Sequence, residues 1–232
     1  MHERTAELEA ANRELESLTY SVSHDLRAPL RSIQGFSAIL SEQHAARLAQ
    51  DAQHLLKRIA AAGMRMNDLI DGLLVLSRLT QKELRRERVD LSRLAAAHAE
   101  DLQRAHPERR VEFVCAEGIE VRADPMMMRT LIENLIGNAW KYSARVPMSR
   151  IECGRQQQEG KPVLFVRDNG AGFDMEYTDR LFGAFQRLHS PQEFEGIAIG
   201  LATVERVVHR HGGRIWAVAA LDKGATFYFV LE

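Results

Sequence analysis

Apolar residues recur at helical spacing along the first eighty positions, and beyond about residue 110 they gather into short runs of strand length. Leu8, Leu15 and Val22 recur every seven residues, as do Ala11 and Leu18, giving the alternating apolar seam of a coiled coil. An ordinary amphipathic helix accounts for the same seam. The pattern continues through Ile33, Phe36 and Leu40 and predicts one long helix, with a turn over residues 42–46. A second helix returns with two heptad tracks, Leu48-Leu55-Ala62-Leu69-Leu76 and Ala52-Ile59-Met66-Leu73. A hairpin cannot bury such a stripe alone, whereas two hairpins paired as a four-helix bundle can, so the pattern predicts a homodimer.

The charge-rich stretch Gln81 to Arg88 reads as a connector. Beyond it, strand-like runs (Val111 to Val114, Ile119 to Arg122, Ile151 to Gly154, Val163 to Arg167, Arg214 to Val218, Thr226 to Leu231) alternate with three helices. These helices are expected over Leu91 to Ala105, Asp124 to Ser143 and Gly200 to His211. Asp124-Pro125 makes a good helix start, a capping acid followed by proline at the first helical position. The predicted fold is thus a helical hairpin forming a dimeric four-helix bundle, followed by an α/β two-layer sandwich with a mixed sheet on one side and helices on the other.

Composition narrows the function classes. The 232 residues are 45% hydrophobic and 27% charged, which is globular rather than disordered. Thirty-one basic against 32 acidic side chains give no electrostatic case for nucleic acid or an anionic membrane. No apolar stretch approaches 18 residues and no signal peptide is evident, so no direct membrane insertion is expected, and the expected location is cytoplasmic. Cys115 and Cys153 fall in predicted strands without metal-ligand spacing, and reduced thiols are expected rather than a disulfide. Met64, Met66 and the Met126-Met127-Met128 run read as flexible core filling rather than a metal site.

Candidate chemistry concentrates in two places. In the first, Asn134 and Asn138 lie one helical turn apart and Lys141 follows at the next, so a helix presents two amide oxygens and an ammonium along one stripe. Such a stripe suits Mg²⁺, which takes oxygen ligands and shares its shell with substrate phosphates. Two solvated asparagines on an amphipathic helix are the simpler alternative. The apolar run Val163 to Val166 is followed by Asp168-Asn169-Gly170-Ala171-Gly172, an acid at a strand end with two glycines that allow close backbone approach. A buried carboxylate there can accept the exocyclic amine of adenine. An Asx-Gly turn needs the same residues.

The second place is Ser23-His24-Asp25-Leu26-Arg27-Ala28-Pro29-Leu30. A neutral imidazole is a competent nucleophile near neutral pH, and a neighbouring carboxylate can orient it or take its proton. Pro29 removes the helix hydrogen bond to the Asp25 carbonyl, which predicts a bend beside His24. For His44, His54, His98 and His106 a solvated side chain is the expected state.

Together these motifs resemble the histidine kinases of two-component signalling, particularly the phytochrome type, whose ATP-binding domain is shared with gyrase, Hsp90 and MutL. Residues Asn134 to Tyr142 resemble the asparagine box, with Asn138 at the magnesium-ligand position. Asp168, Gly170 and Gly172 match the first glycine box, in which the aspartate contacts adenine. Leu181 to Leu188, with Phe182, Phe185 and Arg187, resembles the phenylalanine box at the base of the ATP lid. Glu195 to Ala202 matches the second glycine box, with Gly196, Gly200 and Leu201 in place. Gly224-Ala225-Thr226-Phe227 is similar to the closing glycine-threonine motif, and Thr226 is expected at the nucleotide.

The resemblance implies that His24 is the phosphoacceptor and Asp25 its base, with Mg-ATP as phosphoryl donor and the aspartate of a response regulator receiver domain as destination. It also implies a homodimer whose upstream sensor domain lies outside this chain. The corresponding divisions are residues 1–22 as a coiled-coil signalling linker, 23–80 as the dimerisation and histidine phosphotransfer hairpin, 81–88 as connector and 89–232 as the catalytic ATP-binding domain. Three residues depart from the family pattern, and a fourth sets the chain apart from related ATPases. Ile197 and Ala198 replace the threonine and middle glycine of the lid, and the alternative they raise is a pseudokinase or dimerisation scaffold with impaired ATP binding. Ala28 stands where many relatives carry a water-positioning threonine or asparagine, which predicts weak phosphatase activity. Asn134 occupies the position of the water-activating glutamate of related ATPases, which favours phosphotransfer over hydrolysis.

Overall fold

The chain divides into two compact units, Met1–Gln81 and Lys82–Glu232. This computed structural model describes residues 2–81, 84–158, 160–184, 186, 194 and 199–232, without the side chains of 2–20, 24, 46, 75 and 77–81.

The first unit is a helical hairpin. Helix α1 spans His2–Gln43 with Pro29 inside it, a 3-10 turn follows at Ala45–Arg47, and α2 returns over Gln50–Gln81. The turn is closed by Gln53, whose side-chain amide donates to the carbonyls of Ala45 and Leu48 at 2.8 and 3.1 Å. Leu30, Ile70 and Leu74 form the small buried core. Gly63 lets the helices approach, since a Cβ there would stand 3.2 Å from the Gln34 side chain. An Arg27–Asp71 ion pair bridges the two helices. The heptad tracks of α2 are only partly covered in the hairpin: Leu55, Ile59 and Met66 are exposed and Leu69 and Leu73 half-buried, whereas Gly63, Ile70 and Leu74 are buried. Val22, Leu26, Ile33, Phe36 and Leu40 of α1 are likewise exposed, Phe36 at 67%.

The first strand of the second unit begins within the last two residues of the predicted connector. Strand β1, Glu87–Asp90, pairs antiparallel with β3, Glu120–Ala123. Only Val89 of β1 is buried, so the strand has no apolar pattern of its own. Pairing and the diagonal Arg88–Glu120 ion pair, with hydrogen bonds of 2.6 and 2.7 Å, define it. Asp90 then caps α3, Leu91–Ala105, by accepting the Arg93 N–H at 2.9 Å.

The main sheet has the order β2-β4-β5-β7-β6. Its strands are β2 Val111–Cys115, β4 Ser149–Gln158, β5 Lys161–Asp168, β6 Arg214–Ala219 and β7 Ala225–Val230. Only the β2–β4 pairing is parallel, so the sheet is mixed as expected. Helices α3, α4 (Pro125–Tyr142) and α5 (Gly200–Arg210) pack against it as the second layer. Leu131, Ile132, Leu135, Ile136 and Ala139 form the buried face of α4. Met127 and Met128 join this core, but Met126, Met64 and Met66 are exposed, so the core-filling expectation holds for only part of the methionines. Among the described residues no helix is long and apolar enough to cross a membrane and no cluster of potential metal ligands occurs.

One buried histidine ties the helical layer together. His211, fully buried at the end of α5, donates from Nδ1 to the Val207 carbonyl at 2.7 Å, and its Nε2 accepts the Asp124 N–H at 3.1 Å. Asp124 in turn caps α4, accepting the N–H groups of Met126 and Met127. The His211 carbonyl accepts from Glu232 N–H at 3.1 Å and from the Arg86 guanidinium at 3.5 Å, and Arg86 also donates to the Glu232 carbonyl. Burial lowers the His211 pKa, and the Asp124 hydrogen bond requires an unprotonated Nε2.

His211→Ala should cost about 2–4 kcal/mol by leaving a cavity and an unpaired Asp124 N–H, read as a lower thermal midpoint. Because the folded pKa lies below the unfolded value near 6.5, the stability His211 contributes is present above that pH. It is lost as pH falls toward the folded value, and His211→Gln should remove this component from a stability–pH titration.

Candidate functional site

The site is built around the end of β5. Asp168, 5% exposed, accepts the Gly170 N–H at 2.8 Å and is also hydrogen-bonded by the Ala225 backbone. Burial pushes its pKa up to about 6, against the opposing pull of those two donors. The following loop is held on three sides. Ala171 N–H donates to the Tyr142 carbonyl at the end of α4, at 3.1 Å. Asp222 N–H, in the β6–β7 turn, donates to the Ala171 carbonyl at 2.7 Å. Asn169 accepts the Arg150 N–H at 2.8 Å and donates to the Met148 carbonyl at 3.0 Å, both at the start of β4.

This confinement explains the glycines. Gly172 has φ +59°, and a Cβ there would lie 1.9 Å from the Ala220 carbonyl oxygen. A Cβ on Gly170 would lie 2.4 Å from the Tyr142 carbonyl oxygen. No other residue type fits these approaches without moving backbone.

Helix α4 supplies the polar stripe beside this loop. Asn134 and Asn138 are both half-buried. The Asn134 amide nitrogen donates to the Thr130 carbonyl at 2.7 Å, and its oxygen would stand 2.5 Å from a Cβ on Gly200, the first residue of α5. Lys141 Nζ sits 4.2 Å from the centre of the Tyr142 ring, a cation–π contact. Tyr142 meets Phe194 edge-on at 5.0 Å, and the Arg145 guanidinium lies 4.9 Å from the Phe194 ring. Phe182, just after the 3-10 turn Met175–Arg180, and Leu201 on α5 are half-buried.

Thr226 does not join this cluster. Its hydroxyl accepts from Arg167 Nε at 3.1 Å, and it pairs with Arg167 in register, so strand alternation puts it on the face opposite Asp168. The group that reaches Asp168 is the backbone of Ala225. The motif points to its threonine, whereas a register count from Asp168 points one residue earlier. Tyr142 O, the Ala225 amide, Phe194 and Arg145 also escape a reading of the sequence; the first two act through backbone atoms and carry no residue-type signal.

On the hairpin, His24 lies within α1 and Asp25 is exposed. The His24 side chain lies outside the described residues, as do Phe185, Arg187, Gly196, Ile197 and Ala198.

Two family profiles match the chain. Residues 14–82 match the His Kinase A (phospho-acceptor) domain and residues 123–232 the histidine kinase-, DNA gyrase B-, and HSP90-like ATPase. Cyanobacterial phytochrome B of Nostoc sp. is 34% identical over 97% of this chain and 30% of its own length. The methanogenesis regulatory histidine kinase FilI of Methanothrix harundinacea is 34% identical over 100% of this chain and 26% of its own. The chain therefore spans about a third or less of these relatives. Among solved structures, full-length ShkA in complex with AMPPNP aligns with a TM-score of 0.66 at 24% identity, over 92% of this chain and 45% of that one, a likeness of fold. The mycobacterial sensor histidine kinase MprB aligns with a TM-score of 0.53 at 26% identity, over 63% of this chain and 97% of that one. A phospho-acceptor hairpin followed by an α/β sandwich of the ATP-binding type, in that order and with these relatives, means that the chain belongs to the histidine kinase family and matches its kinase core.

Proposed function

We propose that this chain uses Mg-ATP to phosphorylate His24 and passes the phosphoryl group to an aspartate of a response regulator receiver domain. The observation that carries the nucleotide half is Asp168, a buried acceptor in a glycine-lined loop tied to the end of α4. Its carboxylate would accept the exocyclic amine of adenine. Asn138 would hold a magnesium ion, which supplies charge neutralisation at the phosphates. Lys141 would leave the Tyr142 ring for a phosphate oxygen, and Asn134, Gly200 and Leu201 would border the phosphates where α5 begins. Phe182 and Tyr142 would flank the nucleotide, with Phe185, Arg187 and Gly196 completing the lid.

In the transfer step the His24 imidazole nitrogen attacks the γ-phosphorus, the bond from that phosphorus to the bridging oxygen breaks, and ADP leaves. Asp25 would take or orient the imidazole proton. Asn134 has no ionisable group to activate water, which favours transfer to His24 over hydrolysis. The row of exposed apolar residues from Val22 to Leu40 on α1, with Leu55, Ile59 and Met66 on α2, supports homodimerisation through a four-helix bundle. We assign residues 1–22 to a signalling linker, 23–80 to the dimerising hairpin, 81–88 to the connector and 89–232 to the catalytic domain, in a cytoplasmic setting. The start of β1 at Glu87 favours moving the catalytic boundary slightly earlier.

Incubation with γ-labelled Mg-ATP should give acid-labile label that disappears in His24→Gln while ATP binding persists. Label retained in His24→Gln would overturn the assignment of the phosphoacceptor, and absence of label in both, with ATP bound, would overturn the kinase reading.

ATP affinity should fall as pH drops through about 6, where Asp168 gains a proton and becomes a weaker, uncharged acceptor. Asp168→Asn should weaken ATP binding at least tenfold, or about 1.5–3 kcal/mol for a hydrogen bond to a charged group, and should flatten this pH profile in a calorimetric titration.

Without nucleotide the same group acts in the opposite sense. Its folded pKa of about 6 lies above its ordinary 3.8, so its contribution to stability is present in full below 3.8 and lost as pH rises through 6. Asp168→Asn should therefore gain thermal midpoint relative to the unmutated chain between pH 4 and about 7 in nucleotide-free melts.

A further inference from the structure

Cys115 and Cys153 stand directly opposite each other on the parallel strands β2 and β4. Neighbouring strands lie about 4.8 Å apart. That places the two Cα atoms inside the roughly 4.4–6.8 Å window in which a disulfide closes without backbone movement. Residues paired in register on parallel strands project to the same face, and both cysteines line one cavity of about 20 Å³ with Leu91, Ala95, Ile119 and Phe165. The cavity gives the sulfurs room to adjust. Cys115 is half-exposed on the edge strand, whereas Cys153 is 5% exposed.

The two thiols are also unequal in chemistry. The neighbouring Cys153 and Ser92 groups pull the Cys115 thiol below its ordinary range against the effect of burial, while the Cys115 sulfur and burial push Cys153 up. The Cys115 thiol donates to the Ala116 carbonyl at 3.5 Å. A half-exposed cysteine with the more acidic thiol beside a buried, less acidic one matches the roles of attacking and resolving cysteine.

We propose that Cys115 and Cys153 are a peroxide-reactive pair that closes reversibly into an intramolecular disulfide joining β2 to β4. The oxidant is a hydroperoxide. The Cys115 thiolate attacks one peroxide oxygen, the O–O bond breaks, and with hydrogen peroxide the departing hydroxide takes a proton to leave as water, giving a sulfenic acid. The Cys153 sulfur then attacks the Cys115 sulfur and loses its proton, and the sulfenic oxygen departs as a second water. Two electrons pass from the two thiols to the peroxide, and a dithiol reductant returns both thiols.

The test treats the whole chain with hydrogen peroxide, alkylates it after denaturation and measures the intact mass. The expected product is monomeric, about 2 Da lighter, unlabelled at both cysteines, and labelled at both after reduction. Cys153→Ala should instead leave Cys115 oxidised in place, about 32 Da heavier as the sulfinic acid. Both cysteines alkylated after peroxide, Cys115 over-oxidised in the unmutated chain, or a bridge found only between two chains on a non-reducing gel would each overturn the proposal. None of these readouts depends on kinase activity.

Discussion

An ionisable carboxyl held out of water at the end of β5 is the constraint around which the nucleotide half of this protein is arranged. Burying Asp168 costs free energy when it is charged, and two backbone N–H groups offset only part of that cost. The surrounding backbone must come close enough to donate, so the loop runs through glycines wedged against the carbonyls of Tyr142 and Ala220. The same wedging fastens the loop to the end of α4 and to the β6–β7 turn. The arrangement leaves a strong acceptor whose remaining lone pairs suit a polar ligand better than they suit the empty fold. Stability is conceded at the position proposed to receive adenine.

The two units meet the problem of apolar burial differently. The sandwich closes its core within one chain, with the apolar face of α4 fully covered by the sheet and its neighbouring helices. The hairpin covers Leu30, Ile70 and Leu74 and leaves a row of large apolar side chains in water. Such a gap is what the proposed homodimer would cover, and Leu55, Ile59 and Met66 of the α2 tracks lie on the outward surface.

Much of the sandwich is legible in the sequence because its strands and helices carry their own signals. Asp124 announces a helix start, and the apolar residues of α4 recur at helical spacing along its buried face. The asparagine stripe and the aspartate–glycine loop are legible for the same reason, being written in residue types. Strand β1 is not, because a strand with one buried side chain exists only through its partner. Register is not legible either: the motif singles out Thr226, whereas the group that reaches Asp168 is the backbone of its neighbour Ala225. The face of α2 that meets α1 escapes for a third reason: Gly63 carries no apolar signal, yet its lack of a side chain leaves room for Gln34 of α1.

The His211 carbonyl has a mechanical meaning. It accepts from Arg86, on the segment that leads into β1, and from the N–H of Glu232, on the segment that follows β7. Both segments are thus anchored at one point at the end of α5, and Arg86 bonds directly to the Glu232 carbonyl. A pull on either segment is therefore shared between the strand it joins and that end of α5, whose opposite end abuts Asn134.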